Sequence, residues 1–170
     1  MDNTVGSLTP LMKSVIIGSL LGDGHLRIVK GRKNAFLEVH HSWKQKKYIE
    51  WKFKILKKIC KRGIKRSKDG KRYKFFTCQH KWLTVLYFKF YRKGKKRVNK
   101  EILLENLDEL GLAVWYMDDG SKCRDTDIYL NTQYFSLKDF LTAEYFYPLY
   151  RLLRQYAQGK LEKLFCPPLE

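Results

Sequence analysis

The sequence predicts a mixed α/β (α+β) fold of helices and β-hairpins, built as a pseudo-two-fold repeat in which two small units share a core. Three observations carry that expectation. An apolar run, Leu112-Ala113-Val114-Trp115-Tyr116-Met117, ends in Asp118-Asp119-Gly120. A weaker copy, Ile16-Ile17-Gly18-Ser19-Leu20-Leu21-Gly22, ends in Asp23-Gly24, so that Asp23 and Asp119 lie 96 positions apart (119 − 23). Across the first half, beginning with the helix that holds the first run, period-3.6 and period-2 patterns alternate as helix, hairpin, helix, hairpin, helix.

Each half is expected to carry one copy: residues 1–100 the first, closing on a basic linker, and residues 101–170 the second. At 170 residues, 44% hydrophobic and 15% aromatic, the chain has ample material for a packed interior, which argues against disorder. Thirty-five basic residues against 17 acidic ones give a net charge of +18. Such a field draws polyanions, nucleic acid first and an anionic membrane surface second. No apolar run reaches the roughly 18 residues that a spanning helix needs. Met1 to Thr9 lacks the charged and apolar regions of a signal peptide. The expectation is an intracellular protein, of cytoplasm, nucleoid or organelle matrix, with no membrane partner. Cys60, Cys78, Cys123 and Cys166 are far apart and form no C-x-x-C pair, which fits a reducing compartment and disfavours a zinc site. His40 and His41, adjacent on a strand, point to opposite faces and do not share a metal.

In chain order, Thr9-Pro10 starts the first helix, Thr as cap and Pro at the first helical position. Helical spacing sets Leu11, Ser14, Val15, Gly18 and Gly22 along one side, with Ser14, Gly18 and Gly22 forming a narrow seam for another helix. Residues 27–29 and 36–41 read as a hairpin around a basic turn, with Leu37 and Val39 inward and Phe36, Glu38 and His40 outward. Ser42 caps a helix over roughly 43–61, whose apolar positions Tyr48, Ile49, Phe53, Leu56 and Ile59 oppose a lysine-rich face that includes Lys44, Lys46, Lys47, Lys52 and Lys54. Residues 64–67 and 72–78 form a second hairpin across Asp69-Gly70, and Trp82, Leu83, Leu86, Tyr87 and Phe90 mark a helix. Residues 92–100 read as a linker. Asn106 with Glu109 resembles a capping box for the helix that ends at Asp118. A strand over 128–132 and a long helix from Ser136 to about Tyr156 follow. No second hairpin and closing helix fit after that, so the second half is expected to be shortened.

Asp23 and Asp119 each sit at the C-terminal end of a helix, where the macrodipole is negative and a carboxylate needs a compensating cation. If the helices pack along their small-residue seams, the acids converge. Two carboxylates with the carbonyls freed at helix ends form an oxygen-rich site suited to Mg²⁺. In a strongly basic protein, such a site points to phosphodiester hydrolysis.

These stretches resemble the two signature helices of the LAGLIDADG homing endonucleases, in the single-chain, two-motif, intron-encoded branch. Residues 16–24 and 112–120 align with the nine motif positions, and Asp23 and Asp119 with the catalytic acid. Leu130-Asn131-Thr132-Gln133 before Phe135-Ser136, and His41-Ser42 before Lys44-Gln45-Lys46-Lys47-Tyr48, are also typical of the branch. The resemblance implies that the motif helices pack at the centre and that two antiparallel sheets form a DNA-binding saddle over the major groove. It also implies divalent ions, Mg²⁺ or Mn²⁺ with Ca²⁺ as a non-cleaving substitute, held by Asp23 and Asp119 with main-chain oxygens of Gly22 and Asp118. Asp118 aligns with Gly22, so its main chain is expected to matter more than its carboxylate. The family places lysines near the scissile phosphates: Lys96 fits in the first half and Lys163 in the second. The implied partner is double-stranded DNA with a long asymmetric site, and the implied activity is site-specific double-strand cleavage. The alternative is an RNA maturase bound to intron RNA, or a catalytically inactive nucleic-acid-binding relative. The chain is expected to be a monomer, with a homodimer as the alternative in which a second copy supplies the surface missing from the shortened half.

For base reading, the outward strand positions are Arg27, Glu38, His40, Tyr129, Asn131 and Gln133; arginine pairs with guanine, and Asn or Gln with adenine. Lys30, Arg32, Lys33, Lys65, Arg66, Lys68, Lys71, Arg72 and Lys74, in or beside hairpin turns, suit phosphates, as does Lys122 just after the second acid.

Overall fold

A computed structural model of the protein describes residues 7–97, 100–122 and 128–130. Helix α1 (Pro10–Leu21) starts as the sequence predicts: the Thr9 hydroxyl accepts from the Met12 N–H at 3.2 Å, and Pro10 occupies a position that has no donor to satisfy. The helix carries no charge after Lys13 and is buried from Ser14 to Leu21, as a central helix must be. Leu11 departs from the expected seam and is 51% exposed.

Strands β1 (His25–Arg27) and β2 (Phe36–Ser42) pair antiparallel, Leu26 opposite Leu37. The first strand lies slightly earlier than its residue pattern suggests. Ser42 then caps a short 3-10 turn that leads into α2 (Lys46–Leu56). Strands β3 (Lys65–Arg66) and β4 (Arg72–Phe76) follow, then α3 (Lys81–Phe90), capped by the His80 ring. The four strands form one antiparallel sheet in the order β1-β2-β4-β3. Period-2 alternation buries Leu26, Leu37, Val39, His41 and Phe75 on its inner face. On the other face, the register sets Glu38 opposite Phe76, and His40 opposite Lys74.

The stretch 92–100 is more than a linker. Strands β5 (Tyr91–Arg92) and β6 (Lys95–Lys96) make a tight hairpin, and α4 (Lys100–Asn106) begins at its end. Both turn residues have positive φ, Lys93 at 49° and Gly94 at 74°, the geometry that matches strand twist in a two-residue hairpin. Helix α5 (Glu109–Asp119) is capped by Asp108, which accepts from the Gly111 N–H at 2.8 Å. The expected capping box at Asn106 does not form; that side chain bonds back to the Ile102 carbonyl and closes α4. Strand β7 (Gly120–Lys122), which the sequence did not suggest, pairs antiparallel with β8 (Ile128–Leu130), a two-stranded sheet separate from the other two. The helix expected from Ser136, the remainder of the strand to Thr132, and the proposed shortening after residue 156 lie outside the described residues.

The core is organised on the contact between α1 and α5. The Ser14 hydroxyl meets the Asp108 carboxylate at one end of the pair. A Cβ added at Gly18 would stand 2.3 Å from the Gly111 oxygen and 2.6 Å from the Val114 Cβ, and one added at Gly22 would stand 2.3 Å from the Asp118 Cβ. Contacts therefore advance in the same direction along both helices, which run parallel with their C-terminal ends together. The small-residue seam is confirmed at Ser14, Gly18 and Gly22. Gly18→Ala forces backbone against side chain here and is expected to cost about 3 kcal/mol, a fall of roughly 6–12 °C in Tm. Thermal unfolding followed by circular dichroism checks this, and a melting point within a couple of degrees of wild type would contradict the packing.

Candidate active site at the paired helix ends

Because the helices are parallel, their negative dipole ends and the acids behind them meet in one place. Asp23 follows α1, and its carboxylate remains 45% exposed. Burial raises its pKa, and the charge of Asp118 adds to that; Lys52, Lys96 and His40 oppose the rise. Asp119, the last residue of α5, is raised by burial and then by the charge of Asp23, against Lys96 and Lys52. Each acid thus lies in the field of another carboxylate, the condition in which a cation is bound or a proton retained. The structure brings the two predicted acids together.

Lys96 joins them by a route that the sequence did not reveal. The β5–β6 hairpin sets Lys96 opposite Tyr91, whose phenol anchors the hairpin by accepting from the Leu26 N–H at 3.1 Å and contacting His25 Nδ1 at 3.1 Å. From there the Lys96 ammonium donates to the main-chain oxygens of Gly22 at 2.7 Å and Gly24 at 3.2 Å. Burial pushes its pKa down to about 8, while Asp119, Asp118 and Asp23 pull it upward. The Gly22 oxygen, expected to serve a metal, is occupied by this ammonium.

Asp118 corrects the sequence reading. Its carboxylate is fully buried and accepts from Lys52 Nζ at 2.7 Å (Oδ1) and 2.9 Å (Oδ2), and from the Tyr48 hydroxyl at 2.9 Å. Tyr48 also lies 3.1 Å from the Val114 carbonyl, and the Lys52 ammonium sits 4.6 Å above the Tyr48 ring. Lys52 was expected on the solvated face of α2, yet it is wholly buried. Its position follows from spacing: Tyr48, Lys52 and Leu56 recur every fourth residue on the inward stripe of α2. Burial alone favours the neutral form of both partners, raising Asp118 and lowering Lys52, and the two-point contact opposes that. His41, from the inner face of β2, places one ring nitrogen 3.8 Å from Asp23 and the other 3.8 Å from Asp118. Burial, aided by Lys52, holds its pKa down to about 3, so the ring is neutral at physiological pH.

Three carboxylates thus face two ammoniums at the helix ends. Among the described residues, no group of three His, Cys, Asp or Glu side chains could hold a metal ion. A cation here would rest on Asp23 and Asp119, with main-chain oxygens such as that of Asp118 and with water or a phosphate completing its shell.

The outward face of the sheet carries the candidate nucleic-acid contacts. Glu38 is only 11% exposed, and its carboxylate accepts from Arg27 Nη1 at 3.2 Å and meets His40 Nε2 at 2.5 Å. Burial works against its charge, but the bonds from His40 and Arg27 outweigh it and hold its pKa below the usual range. Glu38 therefore orients its neighbours rather than standing free to read a base, while Arg27 stays 60% exposed. Lys30, Arg32 and Lys33 are exposed in the β1–β2 turn, and Lys65, Lys68, Lys71 and Arg72 are exposed in or beside the β3–β4 turn. Arg66 is exposed but bonds the Gly70 carbonyl at 3.0 Å, and Lys74 lies half-buried over Phe76. The two basic turns sit at opposite ends of the sheet, separated by β2, seven residues or about 23 Å long. Lys122 and Tyr129 occupy positions in β7 and β8; Asn131, Gln133 and Lys163 lie outside the described residues.

This geometry has close counterparts among known proteins. The homing endonuclease I-WcaI, solved bound to its DNA recognition sequence, superimposes with a TM-score of 0.66 at 25% identity, covering 79% of this chain and 65% of that one. Cytochrome b mRNA maturase bI2 of Saccharomyces cerevisiae is 29% identical over 154 residues, 82% of this chain and 36% of that protein. Probable intron-encoded endonuclease 1 of Wickerhamomyces canadensis is 25% identical over 146 residues, 78% of this chain and 62% of that protein. Protein RecA of Mycolicibacterium chitae is 35% identical over 107 residues, 62% of this chain and 25% of that protein. The chain spans less than two thirds of the length of these curated relatives. The model of the LAGLIDADG DNA endonuclease family matches residues 13–157, from the first motif helix through the second and beyond, and the chain belongs to that family.

Proposed function

We propose that this chain is a site-specific endonuclease that hydrolyses both strands of DNA with divalent ions held by Asp23 and Asp119. The observation that carries the proposal is the convergence of these two half-exposed carboxylates at parallel helix ends beside the Lys96 ammonium. The donor set fits Mg²⁺ or Mn²⁺: hard oxygens, too few to enclose the ion, which leaves room for water and phosphate. Bound there, such ions neutralise phosphate charge and lower the pKa of a water nucleophile.

The remaining steps belong to the chain. Asp23 and Asp119 stay ionised in use and would hold the divalent ions over the helix ends, where a phosphate can approach. Lys96, with a depressed pKa and a main-chain tether at Gly22 and Gly24, offers positive charge to the phosphate as negative charge develops there. The sheet carries specificity. Arg27, braced by Glu38, suits a guanine edge, and the basic turns at both ends of the sheet suit phosphates. DNA is the proposed partner, supported by the DNA-bound state of I-WcaI. The likeness to a cytochrome b mRNA maturase favours a second reading, in which intron RNA is bound without cleavage. The ionisable pair separates the two readings, since RNA binding has no need of acids at a helix end.

Asp23→Asn and Asp119→Asn are each expected to reduce Mg²⁺-dependent cleavage of a selected DNA site to background, with binding in Ca²⁺ retained. Undiminished cutting by either variant would reject the assignment, and tight intron RNA binding without cutting by the wild type would select the maturase reading. Lys96→Met is expected to lower the single-turnover cleavage rate by about 10²–10³-fold while DNA affinity changes little. Quenched-flow cleavage beside a filter-binding titration measures both.

A further inference from the structure

Lys52 differs from every other lysine whose surroundings are described. It is wholly buried, and its ammonium spans both oxygens of a carboxylate that is itself wholly buried. It cannot touch DNA or water in this position. The bond crosses the molecule, because Lys52 stands on α2 of the first half and Asp118 on α5 of the second. Tyr48, one helical turn before Lys52, binds the same carboxylate and the Val114 carbonyl, so two side chains of α2 grip the last turn of α5. Asp118 immediately precedes Asp119. Across the seam, Gly22 leaves the volume that the Asp118 side chain fills, since a Cβ there would lie 2.3 Å from the Asp118 Cβ. Gly22 immediately precedes Asp23. One buried ion pair is therefore joined by a single peptide unit to one acid, and packed against the residue preceding the other.

We propose that Lys52 is a positioning residue for the reaction: with Tyr48 it latches Asp118, sets the register of α5 against α1, and so fixes Asp119 relative to Asp23. Buried ionic groups often contribute little net stability, while their directional bonds select one register among several that an apolar seam would tolerate. Glycines let the helices approach closely but supply no side-chain bond of their own to hold one register. The latch acts at the end where sliding would separate the two acids, and a misplacement of about 1 Å at reacting groups costs roughly 100-fold in rate. This inference rests on the nuclease reading for its kinetic consequence and on the packing alone for its structural one.

The test uses the full chain with Lys52→Met, which keeps length and removes charge, and with Lys52→Met/Asp118→Asn, which removes both charges and preserves folding if the single variant leaves an unpaired acid. Both are expected to bind the DNA site in Ca²⁺ within about threefold of wild type and to cleave it in Mg²⁺ about 10- to 100-fold more slowly in single turnover. Wild-type cleavage by the double variant would overturn the latch, and so would a loss of rate matched by an equal loss of affinity. Hydrogen exchange reads the same device without catalysis: amides of residues 116–120 are expected to exchange at least about tenfold faster in the double variant, with the sheet amides unchanged. Unchanged protection at residues 116–120 would overturn the proposal. A wild-type protein that cuts no DNA would instead overturn the nuclease reading, leaving the latch to stand or fall on the exchange rates.

Discussion

Two central helices run side by side in the same direction, and the rest of the molecule answers the charge that this creates. Parallel alignment adds their dipoles rather than cancelling them, and aspartates stand at both negative ends. Like charges gathered there repel, and partial burial weakens the solvent screening that would offset the repulsion. An arrangement so unfavourable in isolation is maintained by close packing along the small-residue seam and by lysines delivered from two sides. It also leaves a standing demand for positive charge, which the divalent cation proposed above would meet.

The two lysines show how environment divides one residue type between tasks. Lys52 is sealed in, with both carboxylate oxygens of its partner engaged and an aromatic face beneath it. Lys96 arrives on a two-residue hairpin and rests on main-chain oxygens, neutral acceptors that let go of an ammonium more readily than a carboxylate does. The first suits holding still; the second, under the proposal above, would meet the charge that develops on a phosphate. Neither task is written in the side chain itself.

Much of the architecture was readable from residues. Thr9-Pro10, the seam at Ser14, Gly18 and Gly22, the inward Leu37 and Val39, and both acids announce themselves through local rules of capping, spacing and periodicity. The failures share a cause: the deciding interaction lies far away in sequence. Asp108 rather than Asn106 caps α5, because Asp108 is also held by Ser14 from another helix. Strands of two or three residues, as at Tyr91–Arg92 and Gly120–Lys122, are too short to show alternation. Lys52 sat in plain view on the apolar stripe between Tyr48 and Leu56, but a lysine is assigned to solvent by type unless its partner is known, and Asp118 is 66 residues away.

The two motif helices are also not interchangeable. Gly22 and Asp118 hold equivalent places in the two motif helices, one contributing a void and the other the side chain that fills it. Two first halves brought together would face an empty groove at the helix ends, with a lysine on each side and no Asp118 carboxylate to receive it. Two second halves would drive a pair of buried carboxylates into the same space. The difference at one position thus makes the two helices complementary parts, so any hybrid assembled from foreign halves must carry this matched set across the seam.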